Sequence, residues 1–422
     1  MADENRFASA SLPIKEGVQK NNQNEHISKT SLLESQSVDN EKKPSLQARP
    51  KSNVAKVNNK WRTKNKKNTP NHSQNGTIFA ALDLGTNNCR LLVARQRGNG
   101  FLVIDGFSRI VRLGEGVSLS GLLDEKAIER TIKALLECKT KLNRHQPKHM
   151  RLIATQACRG ASNSGDFLDR VQKDVGLELE IIDQRIETEL AVAGCADLID
   201  KKAHGALMFD IGGGSTELAW LDFRGGRPKL RSKMPSAIRS WQSLPVGVVS
   251  IAEKFGGKNV SVESFEEMVA FVSEKLKAFK GRKKLQEMIK THNVHLIGTS
   301  GTVTTLGGLH LGLERYERAK VDGLWMRNDD VVDTMRVLLN MSYERRAANS
   351  CIGADRADLV LPGCAIFEAI RREWTTKNIR VADRGLREGM LVSMIEKNRV
   401  EMNRGRVNKS YNKKQNLDNK NG

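Results

Sequence analysis

Two segments share one order of residue types, in which an acidic side chain precedes a glycine-containing polar turn. Asp83 follows an apolar run and lies two residues before Gly85, and Asp210 lies in the same relation to Gly212. Carboxylates so placed suit a hydrated magnesium ion, which takes one or two carboxylates together with phosphate oxygens. Glycine lets the backbone approach a ligand closely, and exposed turn amides bind phosphate. The candidate phosphate-binding residues of the two turns are Gly85, Thr86, Asn87, Gly212, Gly213, Gly214 and Ser215.

A third segment rich in glycine and threonine follows the apolar residues 294–297. We expect this segment to open a helix, and free amides at a helix N-terminus bind anions. One such loop alone would be an ordinary turn, but three loops together predict a phosphate-binding cleft. The candidate residues of the third loop are Gly298, Thr299, Ser300, Gly301 and Thr302.

Charged side chains near these loops complete the candidate site. Arg90 follows the first loop, where a guanidinium can stabilise charge on phosphate oxygens through bidentate hydrogen bonds. Glu217 follows the second loop, and the alternation of side chains along a strand turns it towards the same cleft, with a cross-strand ion pair as the alternative. The further candidates for binding the polyanion are Arg159, Asn163 and Arg356, the last of which could instead pair with Asp355 or Asp358.

The apolar runs on either side of the first two loops predict β-hairpins. Their repeated order indicates an internal duplication, so we expect two similar lobes that face each other. The remaining periodicity predicts an α/β domain in each lobe. Strands are expected at 77–83, 89–94, 101–111, 150–155, 179–182, 205–210, 216–223, 294–297 and 379–382, and helices at 124–144, 167–175, 329–339, 359–374 and 385–395.

Charge and hydropathy separate a folded middle from two polar ends. The formal net charge is +21 and the mean hydropathy is -0.49. Residues 1–76 and 397–422 carry more than half of this charge, so we expect disordered basic tails around domains at 77–198 and 199–396. The basic run from Lys56 to Lys67 could bind nucleic acid or phosphate chains, but a solvated tail is the favoured interpretation.

The sequence contains neither a signal peptide pattern nor an apolar run of membrane length, so we expect a cytoplasmic protein without membrane contact. Its six cysteines are scattered and form no CxxC pair. This spacing favours core cysteines over a zinc site or a disulfide framework.

The motifs as a set resemble the exopolyphosphatase and guanosine pentaphosphate phosphatase (Ppx/GppA) family, within the superfamily of actin, Hsp70 and sugar kinases. The similar strings, within about residues 77–395, are ALDLGTNNCRLLVA, IATQACRGASN, MFDIGGGSTELAW, LIGTSGTVTTLGG, RADLVLPG and DRGLREGML. The resemblance implies an α/β fold with two duplicated ribonuclease H-like domains and a cleft between them. It further implies that water hydrolyses a terminal phosphoanhydride in this cleft with Mg²⁺, and it suggests a homodimer.

The resemblance also implies a catalytic glutamate within residues 181–191, and Glu187 aligns with it. A carboxylate there would act as the general base that orients water and takes its proton. Many family members have a basic residue two positions later, whereas this chain has Glu189, which therefore stays as the alternative base. A surface position on a helix that begins near Ile186 is the structural alternative for Glu187.

Inorganic polyphosphate is the first expected substrate, and guanosine pentaphosphate, with the same terminal anhydride, is the second. An ATP-dependent kinase is a rival hypothesis, because the third loop lies where actin-like kinases hold adenosine, but no acceptor site is recognisable. A non-catalytic phosphate or nucleotide sensor with RNA-binding tails is a further alternative. Some relatives carry a C-terminal helical domain with a His-Asp metal motif. A polar tail follows residue 396 here, so a short, less processive form is expected.

Overall fold

Two β-sheets of related topology form the centre of the protein. The computed structural model describes residues 76–418, with side chains described through residue 402, and all of these lie in one compact unit, Pro70–Gly422. The strands are β1 (Ile78–Leu84), β2 (Asn88–Arg97), β3 (Gly100–Ile110), β4 (His149–Ala154), β5 (Glu180–Ile181), β6 (Gly205–Ile211), β7 (Thr216–Asp222), β8 (Ile238–Leu244), β9 (Val294–Thr299), β10 (Trp325–Arg327) and β11 (Asn378–Ala382).

The strand order repeats between the sheets. The first sheet has the order β3-β2-β1-β4-β5, and the second has β8-β7-β6-β9-β11, with β10 added at the edge. In each sheet three strands form an antiparallel meander, and two further strands then run parallel to the first. This repetition agrees with the duplication that the sequence predicts, and both predicted hairpins are confirmed as β1–β2 and β6–β7.

The central strands are apolar on both faces because helices cover both sides of each sheet. In β1, Ala80 and Leu82 enter one buried cluster, whereas Phe79 and Ala81 point to the other face and enter a second. Polar residues lie instead at the ends of these strands. The hairpin turns, with their carboxylates, therefore emerge at the same end of the central strands in each sheet.

Fourteen α-helices are described within residues 76–418. They are α1 (Val117–Ser120), α2 (Glu125–His145), α3 (Gln156–Gly160), α4 (Ser164–Val175), α5 (Gln184–Cys195), α6 (Val248–Phe255), α7 (Val262–Leu276), α8 (Arg282–Thr291), α9 (Ser300–His310), α10 (Arg318–Val321), α11 (Asn328–Leu339), α12 (Tyr343–Ala348), α13 (Val360–Glu373) and α14 (Leu386–Asp418). Short 3-10 helices lie at Ala196–Leu198, Arg231–Ala237 and Ala354–Arg356.

Helix α14 does not pack as the predicted domain division implies. It follows the second sheet in the chain, yet Leu386, Met390 and Leu391 share a buried cluster with Phe79 of β1. The helix also continues to Asp418, where a disordered tail was expected from residue 397. No proline interrupts this stretch, so backbone hydrogen bonding can continue along it. The predicted N-terminal tail and its basic run lie outside the described residues, and the boundary at 198/199 stays a prediction.

No helix within residues 76–418 is both long enough and apolar enough to cross a membrane. All six cysteines are buried and carry free thiols, as expected of core residues. The sulfur atoms of Cys89 and Cys138 are 3.9 Å apart.

Candidate active site

A cavity of about 360 Å³ opens between the two lobes, at the ends of the two hairpins. It brings together most of the residues that the sequence singled out, although they come from five different parts of the chain. The predicted residues that line it are Asp83, Gly85, Thr86, Asn87, Arg90, Glu187, Asp210, Gly212, Gly213, Gly214, Ser215, Glu217, Thr299, Ser300, Gly301 and Arg356.

Equivalent backbone hydrogen bonds close the two hairpin turns. In the first turn the N–H of Gly85 donates to the carbonyl of Asn88 at 2.9 Å, and in the second the N–H of Gly212 donates to the carbonyl of Ser215 at 2.9 Å. The strand pairing places Arg90 opposite Asp83 in the first hairpin. It places a second carboxylate, Glu217, opposite Asp210 in the other. Equivalent backbones thus present different charges to the cavity.

The second turn packs directly on the first. A Cβ atom added to Gly213 would lie 2.9 Å from Thr86 Cβ, and one added to Gly214 would lie 2.9 Å from Thr86 Oγ1. At distances this short a side chain at either position would force a neighbour to shift. The close approach of the two loops therefore favours glycine at Gly213 and Gly214.

The four predicted carboxylates, Asp83, Glu187, Asp210 and Glu217, line the cavity, and removal from water raises the pKa of each. Burial raises the pKa of Asp83. Burial, together with the charge of Glu187, raises the pKa of Asp210 to about 7. Burial, together with the charge of Asp210, raises the pKa of Glu217 to about 7. Such a cluster is stabilised by protons or by a cation.

Glu187 lies in the first turn of α5, which the side chain of Asp183 caps by accepting a hydrogen bond from the N–H of Ile186 at 2.7 Å. Burial, together with the charge of Glu217, raises the pKa of Glu187 to about 8. The alternative base, Glu189, instead pairs with Arg185 at 2.9 Å and does not line the cavity. The helix therefore turns Glu187, and not Glu189, towards the carboxylate cluster.

Arg159 approaches Glu187 rather than the open cavity. Its Nη2 atom lies 2.8 Å from Glu187 Oε2, and its Nη1 atom donates to the carbonyl of Ile182 at 2.9 Å. Glu187 Oε2 nevertheless accepts no hydrogen bond of acceptable angle. Arg159 thus opposes the rise of the Glu187 pKa and favours the ionised carboxylate, the form that a general base requires.

For Glu217 and Arg356, the contacts in the structure distinguish a side chain that faces the cavity from one that forms an ion pair. Glu217 forms no ion pair within the described residues, and its Oε1 atom accepts hydrogen bonds from the hydroxyls of Ser215 at 2.7 Å and Ser243 at 2.8 Å. Asp358, a candidate partner of Arg356, pairs with Arg112 at 3.1 Å. Both Glu217 and Arg356 therefore remain directed to the cavity.

Besides Arg159, three predicted residues do not line this cavity. The side chain of Asn163 bonds the backbone of Leu123, accepting from its N–H at 2.8 Å and donating to its carbonyl at 3.1 Å. Gly298 packs against Phe209, whose Cζ atom would lie 2.5 Å from an added Cβ. Thr302 is buried beside a smaller adjoining cavity. The residue types of all three fit phosphate binding. In the structure, however, local hydrogen bonds or packing place each of them outside the cavity lining.

Arg387, which was not among the predicted site residues, lines the cavity from the first turn of α14. The string DRGLREGML contained it, yet only the resemblance drew attention to that string. The helix reaches the cavity because it packs on the first sheet, and short-range periodicity carries no information about that packing. Tyr316 and Asp383 also line the cavity, and no local pattern singled them out.

Comparison with known proteins assigns this architecture to a family. A model of the Ppx/GppA phosphatase family matches residues 92–398. The chain belongs to the Ppx/GppA phosphatase family. It is 26% identical over 336 residues to exopolyphosphatase 2 of Mycobacterium tuberculosis, which covers 75% of this chain and 98% of that relative. It is 28% identical over 309 residues to the bifunctional 3-dehydroquinate synthase/phosphatase of Fusobacterium nucleatum, covering 70% of this chain but only 43% of that longer relative.

Solved structures of Ppx/GppA proteins confirm the predicted fold class. The Aquifex aeolicus family member aligns with a TM-score of 0.60 at 28% identity, over 76% of this chain and 98% of that chain. An exopolyphosphatase from Cytophaga hutchinsonii aligns with a TM-score of 0.67 at 24% identity, over 76% and 98% of the two chains, which bears on the fold alone. The protein is thus a Ppx/GppA phosphatase of actin-like fold, and the roles of its individual residues stay predictions.

Proposed function

We propose that this phosphatase is an exopolyphosphatase, which releases orthophosphate from the end of inorganic polyphosphate. The observation that carries the proposal is the position of Glu187, a sheltered carboxylate that faces two amide-rich turns across the cavity. The relative named exopolyphosphatase 2 supports the choice of polyphosphate, since nearly its whole length aligns with this chain. Arg90 and Arg356 also line the cavity, and their guanidinium groups can bind the oxygens of a polyanion.

Mg²⁺ fits the donor set of the cavity. Asp83 and Asp210 lie at the ends of equivalent strands, and burial raises the pKa of both carboxyls, so an added cation would stabilise their ionised forms. The described residues contain no cluster of three or more His, Cys, Asp or Glu side chains arranged to hold a metal. Two carboxylates suffice for Mg²⁺, which takes its other ligands from water and phosphate. When bound, the ion would neutralise charge on the terminal phosphates.

The side chains of this chain account for the remaining steps. Amides of the two turns bind the terminal phosphate, and Arg90 and Arg356 stabilise the charge that develops on its oxygens. A water molecule attacks the terminal phosphorus, the bond from phosphorus to the bridging oxygen breaks, and Glu187 takes the proton of the water. Glu217, held by two serine hydroxyls, orients that water. The products are orthophosphate and a chain shorter by one unit.

Guanosine pentaphosphate is the second candidate substrate, and an aromatic side chain in the cavity favours it. Tyr316, Ile352 and Asp383 line the cavity, and the Tyr316 hydroxyl donates to Asp383 Oδ2 at 2.6 Å. An aromatic ring beside a carboxylate suits a purine base better than a further run of phosphates.

The proposal is tested by phosphate release from long-chain polyphosphate, guanosine pentaphosphate and ATP with Mg²⁺. We expect polyphosphate to be hydrolysed fastest and Glu187→Gln to lower kcat by about 10²- to 10⁴-fold, because the general base is lost. Glu189→Gln is the matched control on the same helix and should retain wild-type activity. Full activity of Glu187→Gln would refute the assigned base.

The substrate profile of the wild type separates the remaining hypotheses. Faster release from guanosine pentaphosphate would favour the second candidate, and hydrolysis or transfer that requires ATP would favour a kinase. Absence of release from all three compounds would favour the sensor.

A further inference from the structure

One arginine in the wall of the cavity has no assigned task. Arg387 lines the cavity and is half-buried, and no described side chain forms a hydrogen bond or ion pair with its guanidinium. The adjacent carboxylate of Glu388 is occupied elsewhere. Its Oε1 atom accepts from Arg318 Nη2 at 2.7 Å, and its Oε2 atom accepts from the N–H of Gly385 at 2.9 Å.

The other arginines around the cavity fall into two groups. Arg159 and Arg384 are held by protein carboxylates, Arg159 by Glu187 at 2.8 Å and Arg384 by Asp322 at 3.0 Å. Arg90 and Arg356, the arginines already expected to bind phosphate, line the cavity without an ion pair to a described residue. Arg387 shares this property with the second group, so its surroundings match those of an anion-binding side chain.

The position of Arg387 places it at the reacting end of the cavity. Burial lowers the pKa of Arg387, the charges of Glu388 and Asp83 raise it, and those of Arg90 and Arg318 lower it. The preceding Gly385 lies close to the second lobe, since an added Cβ would be 3.8 Å from Asp210 Oδ2 and 3.5 Å from Thr299 Oγ1. The turn that carries Arg387 therefore lies beside Asp210 of the candidate metal site, and the charge of Arg387 lowers the pKa of Asp83, the other carboxyl of that site.

An unpaired guanidinium sheltered from water raises the free energy of the folded protein unless an anion binds it. We propose that Arg387 is a third phosphate-binding arginine, which contacts the phosphate at the reacting end of the substrate. The inference rests on the proposed function, since it takes the substrate to be a phosphoanhydride chain. A guanidinium can bind two phosphate oxygens at once, which an ammonium group does not do with the same geometry.

The test is direct binding of an imidotriphosphate in which nitrogen replaces both bridging oxygens, so that it resists hydrolysis, measured by calorimetry with Mg²⁺. We expect Arg387→Gln to raise Kd by about 10- to 100-fold, since a charged hydrogen-bonded contact is lost, and Arg387→Lys to raise it less. Arg384→Gln is the matched control on the preceding turn. It loses the ion pair with Asp322, so it should lower the melting temperature while leaving Kd unchanged.

The outcomes separate this inference from the proposed function. Wild-type Kd in Arg387→Gln would overturn the inference even where the wild type hydrolyses polyphosphate, and so would a wild type that binds no imidotriphosphate. Weakened binding by the variant, with no phosphate release by the wild type, would leave the inference standing and reject the hydrolase. Should the glutamine variant fail to fold, the lysine variant decides, and an unchanged Kd there overturns the proposal.

Discussion

The β1–β2 and β6–β7 hairpins share a backbone and differ in charge. Both follow a buried strand, close on the same hydrogen bond and end in a strand that pairs residue for residue with the first. In the first hairpin Asp83 faces Arg90, whereas in the second Asp210 faces Glu217. The first hairpin therefore contains its own counter-charge, and the second does not.

This difference suits the two copies of the duplicated unit to different functions. Opposite charges across a strand pair stabilise each other, whereas like charges destabilise the pair unless a proton or cation is supplied. The first hairpin is thus suited to hold phosphate through Arg90. The second hairpin, in which the pKa values of Asp210 and Glu217 are both raised to about 7, is suited to hold a cation and to orient water.

The largest effect is expected when the charge of the second hairpin is made like that of the first. Glu217→Arg places a guanidinium beside Asp210, which displaces a cation and removes the group that orients water. We expect kcat/KM for polyphosphate to fall by about 10³-fold or more. Glu217→Gln, which removes charge without adding the opposite one, should lose less. Activity of the arginine variant within tenfold of the wild type would contradict this view of the second hairpin.

A smaller effect is expected from alanine substitutions in the two turns, because the second turn is packed more tightly than the first. Gly213→Ala forces a Cβ to within 2.9 Å of Thr86 Cβ, whereas the nearest atom to a Cβ on Gly85 is 3.6 Å away. We expect Gly213→Ala to lower the free energy of unfolding by about 1–3 kcal/mol through overpacking. Gly85→Ala is the matched control and should leave it nearly unchanged. Urea denaturation measures both, and equal losses would show that the contact between the turns carries no strain.

The smallest effect concerns pH and is a difference in melting temperature between the wild type and Glu217→Gln. The pKa values of Asp210 and Glu217 are raised to about 7 on folding, so their contribution to stability is present below pH 4 and is lost as pH rises through 7. Without Mg²⁺, the melting temperature of the wild type should therefore fall relative to that of Glu217→Gln between pH 5 and 8. Added Mg²⁺ should reverse this fall by binding the folded state. Parallel curves for the two proteins would reject the raised pKa of Glu217.

Much of the fold and part of the site followed from local patterns. The hairpins, their strand-end carboxylates and the loop at Ser300 were predicted because apolar periodicity and turn chemistry act between residues close in the chain. The same local reasoning misplaced Asn163 and Gly298. Their residue types suit a phosphate loop, but the backbone of Leu123 and the ring of Phe209 take up the space and hydrogen bonds that a ligand would use.

The sequence by itself determined that two copies of one β-hairpin unit place carboxylates beside glycine-rich turns, and that the chain resembles a phosphatase family. Tertiary structure decided which charged groups remain available to a ligand. Asp358 pairs with Arg112 and frees Arg356, and α14 returns across the first sheet to bring Arg387 to the cavity. Such pairings join residues hundreds of positions apart, and their free energy depends on distance and burial, which no local spacing encodes.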